Sequence, residues 1–142
     1  MLDNTYVKMI GETAVIFDIT KRKFTIYKAL NDTNSIDFIV DAQNRFYKVQ
    51  VKTISEPTTK HGGYCFNLQK TRTNRTCNRR IQYTLNDVDV FAFYILDLNK
   101  ICYLRYDTIY PQKAVSFRNN KSNYGGSSQR LIDDYKEFPL WT

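Results

Sequence analysis

The longest apolar run in the chain is Val90–Leu96 (VFAFYIL), seven residues. It is too short to cross a bilayer and has the length of a strand buried inside a protein. The chain has 142 residues, which suits one compact domain able to cover such a strand. At this size folding removes about two-thirds of the unfolded chain's surface from water, so neither a disulfide framework nor a structural metal is required. Hydrophobic residues make up 42% of the chain and aromatics 15%, which excludes disorder over most of its length.

Upstream of that run, Tyr6, Met9, Ile10, Val15 (or Ala14) and Phe17 recur near 3.6-residue spacing with no proline between them. This predicts a helix from Asn4 to about Thr20 with those residues on its apolar face. Asp3 and Asn4 are suitable N-caps, and Lys21, Arg22 and Lys23 sit where the helix dipole favours positive charge. Phe24 to Lys28 is a short strand candidate, and Asn31 to Ser35 has turn chemistry. Ile36 to Val40 and Phe46 to Ile54 read as two strands of a hairpin with its turn near Asn44. A loop at Ser55 to Gly63 leads to a strand at Tyr64 to Leu68. Val88 to Asp97 and Ile101 to Asp107 are two more strands, joined at Leu98-Asn99-Lys100. Asn119 to Ser128 is expected to be a flexible loop, and Ser128 to Phe138 a short terminal helix stopped by Pro139. This order predicts an antiparallel or mixed sheet with helices on its faces.

Lys and Arg number 21 against 14 Asp and Glu, a formal charge of +7. A small domain this basic points to a polyanion, nucleic acid first, with a merely solubilising surface as the alternative. The charge concentrates between Lys70 and Arg80 (KTRTNRTCNRR), where Lys70, Arg72, Arg75, Arg79 and Arg80 occur with no acid. The planar fork of arginine suits phosphate and the edge of guanine alike, so a β-ribbon or loop here is a candidate for a DNA groove. Lys113, Arg118 and Lys121 form a weaker second patch. Tyr83, Tyr103 and Tyr106 are expected in core or hairpin packing rather than stacked on bases. The three cysteines, Cys65, Cys77 and Cys102, include no CxxC pair, and His61 is the single histidine. Zinc sites of the Cys₂His₂ or Cys₄ type cannot be assembled from them. His61 lies in a turn-like Lys-His-Gly-Gly stretch, which argues against a Cys–His nucleophile. Free thiols indicate a reducing compartment. The opening residues MLDNTYVK lack a charged region followed by an apolar run, so an intracellular, non-secreted protein is expected.

Alternation along Phe46 to Thr53 puts Val49, Val51 and Thr53 on one strand face, with the valines toward the core. Gln50 and Lys52 fall on the other, about 7 Å apart. If the hairpin forms, Asp37 lies across from them. Glu12, in the middle of the helix, is the acid best placed to join if that helix packs on the sheet. Taken singly, each has a structural reading: an Asp at a strand start is commonly a cap, and a strand Lys commonly faces solvent. Together they set a carboxylate, an amide and an ammonium on one sheet face.

This spacing resembles the PD-(D/E)XK nuclease superfamily, in which an Asp begins one strand and an acid and a Lys two residues apart lie on the next. Here the motif reads Ile36-Asp37 … Gln50-Val51-Lys52, with Ile for the proline and Gln for the second acid. The chain is more closely similar to the group I intron-encoded homing endonucleases of that superfamily. Gly11-Glu12, Asp37 with its following hydrophobics, Tyr47 to Thr53 and Val88 to Phe93 carry the similarity, which covers roughly residues 6–107. The resemblance implies an α/β (α+β-like) fold with a restriction-endonuclease-like core, a central mixed β-sheet flanked by helices. It implies a single nuclease domain over 1–142, with a core at about 4–110, a basic DNA-contact segment at 69–83 and a C-terminal extension at 111–142.

The activity implied is Mg²⁺-dependent, site-specific hydrolysis of phosphodiester bonds in double-stranded DNA, with Mn²⁺ as a substitute ion. Glu12, Asp37, Gln50 and Lys52 would be catalytic, and Asp37, Gln50 and Glu12 would hold the metal. Mg²⁺ takes hard oxygen ligands and keeps several waters, so one or two carboxylates plus a substrate oxygen suffice. The Lys52 ammonium would stabilise phosphate charge or position the attacking water. Lys70, Arg72, Arg75, Arg79 and Arg80 would bind DNA. Cutting both strands needs two active sites, hence a homo-oligomer, a dimer or tetramer. Val90 to Leu96 and Phe138 to Trp141 are candidates either for its interface or for closing the core. Two alternative functions stand beside this one. One is a junction-resolvase-like nuclease; the other, motivated by Gln50, is a non-catalytic DNA-binding protein on a nuclease scaffold.

Overall fold

The computed structural model describes residues 3–31, 36–73, 78–120 and 130–141. Helix α1 spans Asn4–Lys21, and the Asp3 carboxylate caps it by accepting from the Thr5 N–H at 2.6 Å. It ends where Arg22 closes back on the last carbonyls and Lys23 takes a positive φ of 66°. The strands that follow are β1 (Thr25–Tyr27), β2 (Phe38–Ala42), β3 (Arg45–Ile54), β4 (Tyr64–Asn67), β5 (Gln69–Thr73), β6 (Asn78–Gln82), β7 (Val90–Ile95), β8 (Lys100–Arg105) and β9 (Ala114–Phe117).

Five strands form the central sheet in the order β1-β2-β3-β7-β8. Only the β3–β7 pair is parallel, which makes the sheet mixed. The β2–β3 turn is tight because Gln43 and Asn44 both adopt positive φ, 51° and 64°, which matches the twist of the two strands. Asp89 ties the start of β7 to β3, its carboxylate accepting from the Lys48 N–H at 2.8 Å.

The apolar run is the middle of the molecule: every residue of β7 is buried. Val90 and Ala92 face α1, where they join Val15, Ile19, Val40, Val49 and Val51. Phe91, Phe93 and Ile95 face the other way, against Phe66, Leu68, Tyr106 and Phe117. That second layer is built from the β4–β9 pair and the segments around it, so a helix flanks one side and short strands the other. Tyr83, Tyr103 and Tyr106 are buried, as core packing requires. The C-terminus also closes the core: Phe138 is buried and meets Tyr47 edge-on at 5.3 Å. Among the described residues no helix is long and apolar enough to cross a membrane.

Two expectations are corrected. The buried stripe of α1 is Gly11, Val15 and Ile19, while Tyr6, Met9 and Phe17 are 60%, 55% and 64% exposed. The helix lies so close to β3 that a Cβ on Gly11 would collide with the Thr53 side chain, so small and β-branched residues face inward and the bulky ones outward. The expected helix over Ser128 to Phe138 is a single 3-10 turn, Ile132–Tyr135. Extended pairing with the end of β9 takes the backbone groups that a helix would use. Arg118 N–H donates to the Arg130 carbonyl and Ile132 N–H to the Arg118 carbonyl, both at 2.9 Å. Most of the expected loop at 119–128 lies outside the described residues.

Candidate active site

Strand β3 is longer than its neighbour β2. Their pairing starts at Phe38 opposite Val49, so β3 runs past β2 from residue 50 onward. Asp37 ends the ladder. Its backbone N–H donates to the Val49 carbonyl at 3.0 Å, and its Oδ2 accepts from the Val51 N–H at 2.7 Å. The Asp37 carboxylate therefore sits on the open edge of β3, beside the backbone that connects Gln50 to Lys52.

The close approach of α1 at Gly11 brings the next residue, Glu12, to the same edge. Glu12 and Asp37 line one recess of about 640 Å³ together with Thr5, Lys8, Lys28 and Asn31. Burial holds the Glu12 carboxyl above the usual carboxylate range, and the neighbouring Asp37 charge and a hydrogen bond between the two raise it further. Lys8 and Lys28 oppose that rise.

Gln50 and Lys52 line an adjacent recess of about 400 Å³ with Asn4, Val7, Lys8, Gln69, Lys70 and Tyr83. Lys8, one turn before Glu12 on α1, lines both recesses. Gln50 is only 9% exposed, and among the described residues no hydrogen bond satisfies its amide. The amide opens into the recess, where water or a ligand can meet it. Desolvation pulls Lys52 below the ordinary lysine range and Lys8 adds to this, while the Asp37 charge opposes it. Lys52 Nζ donates to the Tyr83 hydroxyl at 3.4 Å and lies 5.0 Å from the ring centroid.

The structure thus gathers Glu12, Asp37, Gln50 and Lys52 around one strand edge, two in each of two recesses joined by Lys8. Neither Lys8 nor Tyr83 was picked out for this cleft from sequence. Lys8 had a usable signal, being four residues before Glu12 on a helix; Tyr83 had none, because its approach to Lys52 is tertiary. Among the described residues no three His, Cys, Asp or Glu side chains form a metal cage. The donor set is instead two carboxylates and an amide oxygen that has no protein partner among the described residues. That set fits a hard divalent ion that keeps waters and borrows a substrate oxygen.

The basic segment is a two-stranded ribbon, β5 with β6, whose register puts Arg72 opposite Arg79 and Thr71 opposite Arg80. Arg79 and Arg80 are exposed, whereas Lys70, at the ribbon's base, is half-buried and pairs with Asp87 at 3.7 Å. Arg75, Cys77 and Lys121 lie outside the described residues. Cys65 and Cys102 are free thiols, and burial pushes the Cys102 thiol up to about 12, the wrong direction for a nucleophile. A further depression near the other end of α1 is lined by Asp18, Arg22 and Glu137. Those charges already pair with one another, at 3.0 Å in each case.

The family model for PD-(D/E)XK endonucleases matches residues 4–138 of the chain. In three dimensions the chain is similar to a bacterial homing endonuclease, I-Ssp6803I, with a TM-score of 0.78 and 26% sequence identity. That likeness covers 95% of this chain and 89% of the other. No curated protein matches it in sequence.

Proposed function

This chain belongs to the PD-(D/E)XK endonuclease family, and from that premise we propose that it is a Mg²⁺-dependent, site-specific endonuclease of the homing type acting on double-stranded DNA. The observation that carries the reading is the open edge of β3, where Asp37, Glu12, Gln50 and Lys52 meet beside a basic ribbon. The homing endonuclease similar in fold supports the choice of substrate.

Asp37 and Glu12 would hold the ion, and the Gln50 amide would add a neutral oxygen. When bound, the ion supplies Lewis acidity and a more acidic bound water. Asp37 is anchored at the strand edge by the Val51 N–H, which uses one of its carboxylate oxygens. Lys52 keeps its ammonium beside a nonbridging phosphate oxygen, and partial burial strengthens that charge–charge attraction. Lys70, Arg72, Arg75, Arg79 and Arg80 would grip the duplex backbone, making binding strongly salt-dependent. Two strand cuts need two such centres, so the working unit is a homo-oligomer, a dimer or tetramer.

The test is incubation of the purified chain with mixed plasmid or genomic DNA and Mg²⁺, followed by sequencing of the ends. Recurrent ends at one sequence, lost in Asp37→Asn and Lys52→Ala while DNA binding persists, support the proposal. Faster cutting of four-way junctions than of linear duplex would favour a junction nuclease instead. Binding without nicking under any divalent cation would leave a DNA-binding protein.

A further inference from the structure

Among the described residues Tyr83 is the tyrosine that lines the cleft, and it shares with Tyr47, whose hydroxyl accepts from the Trp141 N–H at 2.9 Å, the lack of an acceptor that four other core tyrosines have. Tyr64, Tyr94 and Tyr106 each donate their hydroxyl to a protein acceptor: an Asp97 oxygen at 3.1 Å, Asn99 at 2.8 Å and the Tyr83 carbonyl at 2.6 Å. Tyr103 does the same to Asp18 at 2.5 Å. Buried tyrosines normally do so. The Tyr83 hydroxyl accepts from Lys52, but among the described residues nothing accepts its own O–H.

The side chain is nonetheless fixed. It is 4% exposed, its ring meets Phe91 edge-on at 5.5 Å, and its carbonyl is held by Tyr106. Two ammonium groups lie near the ring, Lys52 at 5.0 Å and Lys70 at 5.5 Å from the centroid. The ring therefore joins the reaction cleft to the base of the β5–β6 ribbon. The phenol lines the same recess as Gln50 and Lys52.

We propose that the Tyr83 hydroxyl is a further catalytic group, which holds Lys52 by accepting its N–H and donates its own O–H to a phosphate oxygen in the cleft. The inference rests on the reading of Asp37 and Lys52 as the reaction centre. Burial, with the nearby Asp37 and Asp87 charges, pushes the phenol up to about 12. It therefore remains a donor and does not serve as a base. A fixed donor of this kind, aimed where charge develops, gives rate rather than affinity.

The experiment is single-turnover cleavage of the target duplex by full-length Tyr83→Phe, with Tyr94→Phe as a control that removes a buried hydroxyl bonded to Asn99 and lining neither recess. The expected result is a fall of roughly 10²-fold in the cleavage rate for Tyr83→Phe. The Kd for DNA should stay within about twofold and Tyr94→Phe should be unaffected, since ground-state binding does not use the donor. Losing the hydroxyl acceptor also makes Lys52 give up its proton more easily, so the alkaline limb of the rate profile should move to lower pH. Unchanged rate and profile in Tyr83→Phe, with Lys52→Ala inactive, would reduce Tyr83 to packing and leave the reaction centre standing. A rate loss matched by an equal loss of DNA binding would also overturn the proposal. Full activity in both Lys52→Ala and Asp37→Asn would overturn it together with the reading on which it rests.

Discussion

Val49 and Val51 lie under α1 with 0% and 5% of their surface exposed. Gln50 and Lys52, each one residue along, line a recess shared with Tyr83, Lys70 and the first turns of α1. One face of β3 joins a cluster of small aliphatic groups, and its fit depends on a glycine in the helix above it. The other carries an amide without a protein partner among the described residues and an ammonium drawn partly out of water. The strand's two faces thus have opposite energetics: the first gains stability by burial, and the second gives some up by holding polar groups half-desolvated. Such a loss is tolerated where the groups work, and substitutions can be chosen to separate the two faces.

The largest effect belongs to the polar face. Lys52→Ala and Asp37→Asn should each lower the cleavage rate by roughly 10³-fold or more while leaving the fold and most DNA binding intact, checked by single-turnover kinetics and gel shift. Equal loss of binding would mean that these residues are structural and would erase the contrast. Next comes the apolar face. Val49→Ala should cost about 2 kcal/mol in chemical denaturation, whereas Gln50→Ala one residue away should cost well under about 1 kcal/mol.

Gly11→Ala sharpens the same contrast. Helix propensity alone predicts a gain of about 1 kcal/mol. The collision with Thr53 predicts a net loss of about 1–2 kcal/mol, with Glu12 displaced from Asp37, read as lower stability and slower cleavage together.

The smallest effects are in pH dependence. Folded Lys52 releases its proton more readily than the unfolded chain does. The unfolded state therefore binds more protons just below the ordinary value of 10.5, and stability rises with pH through that window. Lys52→Met should remove this slope and raise Tm by a few degrees at neutral pH, on the order of 1 kcal/mol, while abolishing cleavage. Glu12 has the reverse sign. Folding tightens its hold on the proton, so stability falls as pH rises through the window above 4.5. Millimolar Mg²⁺ should offset that fall near neutral pH by about 1–2 kcal/mol in a thermal scan, and Glu12→Gln should abolish the offset.

Much of the fold was readable before any coordinates. The α1 boundaries follow from Asp3 and from the spacing of apolar residues; the hairpin follows from β-branched runs on either side of Asn44; and the apolar run marked the central strand. The Gln50–Lys52 alternation was readable as well, because strand periodicity is local. The inward face of α1 was not readable, since a count of apolar residues favours Tyr6, Met9 and Phe17 over Gly11. The terminal segment was misjudged because its backbone pairs with Arg118, a partner distant in sequence. At the site, membership of Asp37 and Lys52 could be argued from spacing, but the involvement of Lys8 and Tyr83 could not.

Sequence alone determined which residues alternate on β3, where the positive charge collects and how long the elements are, because these are relations among near neighbours in the chain. Tertiary structure decided that β2 stops short of β3, that a glycine lets Glu12 reach Asp37, and that Tyr83 comes to rest against Lys52. Each of those depends on how closely two layers pack. Packing distance is set by the fit of side chains brought together from far apart in the sequence, which no local pattern encodes.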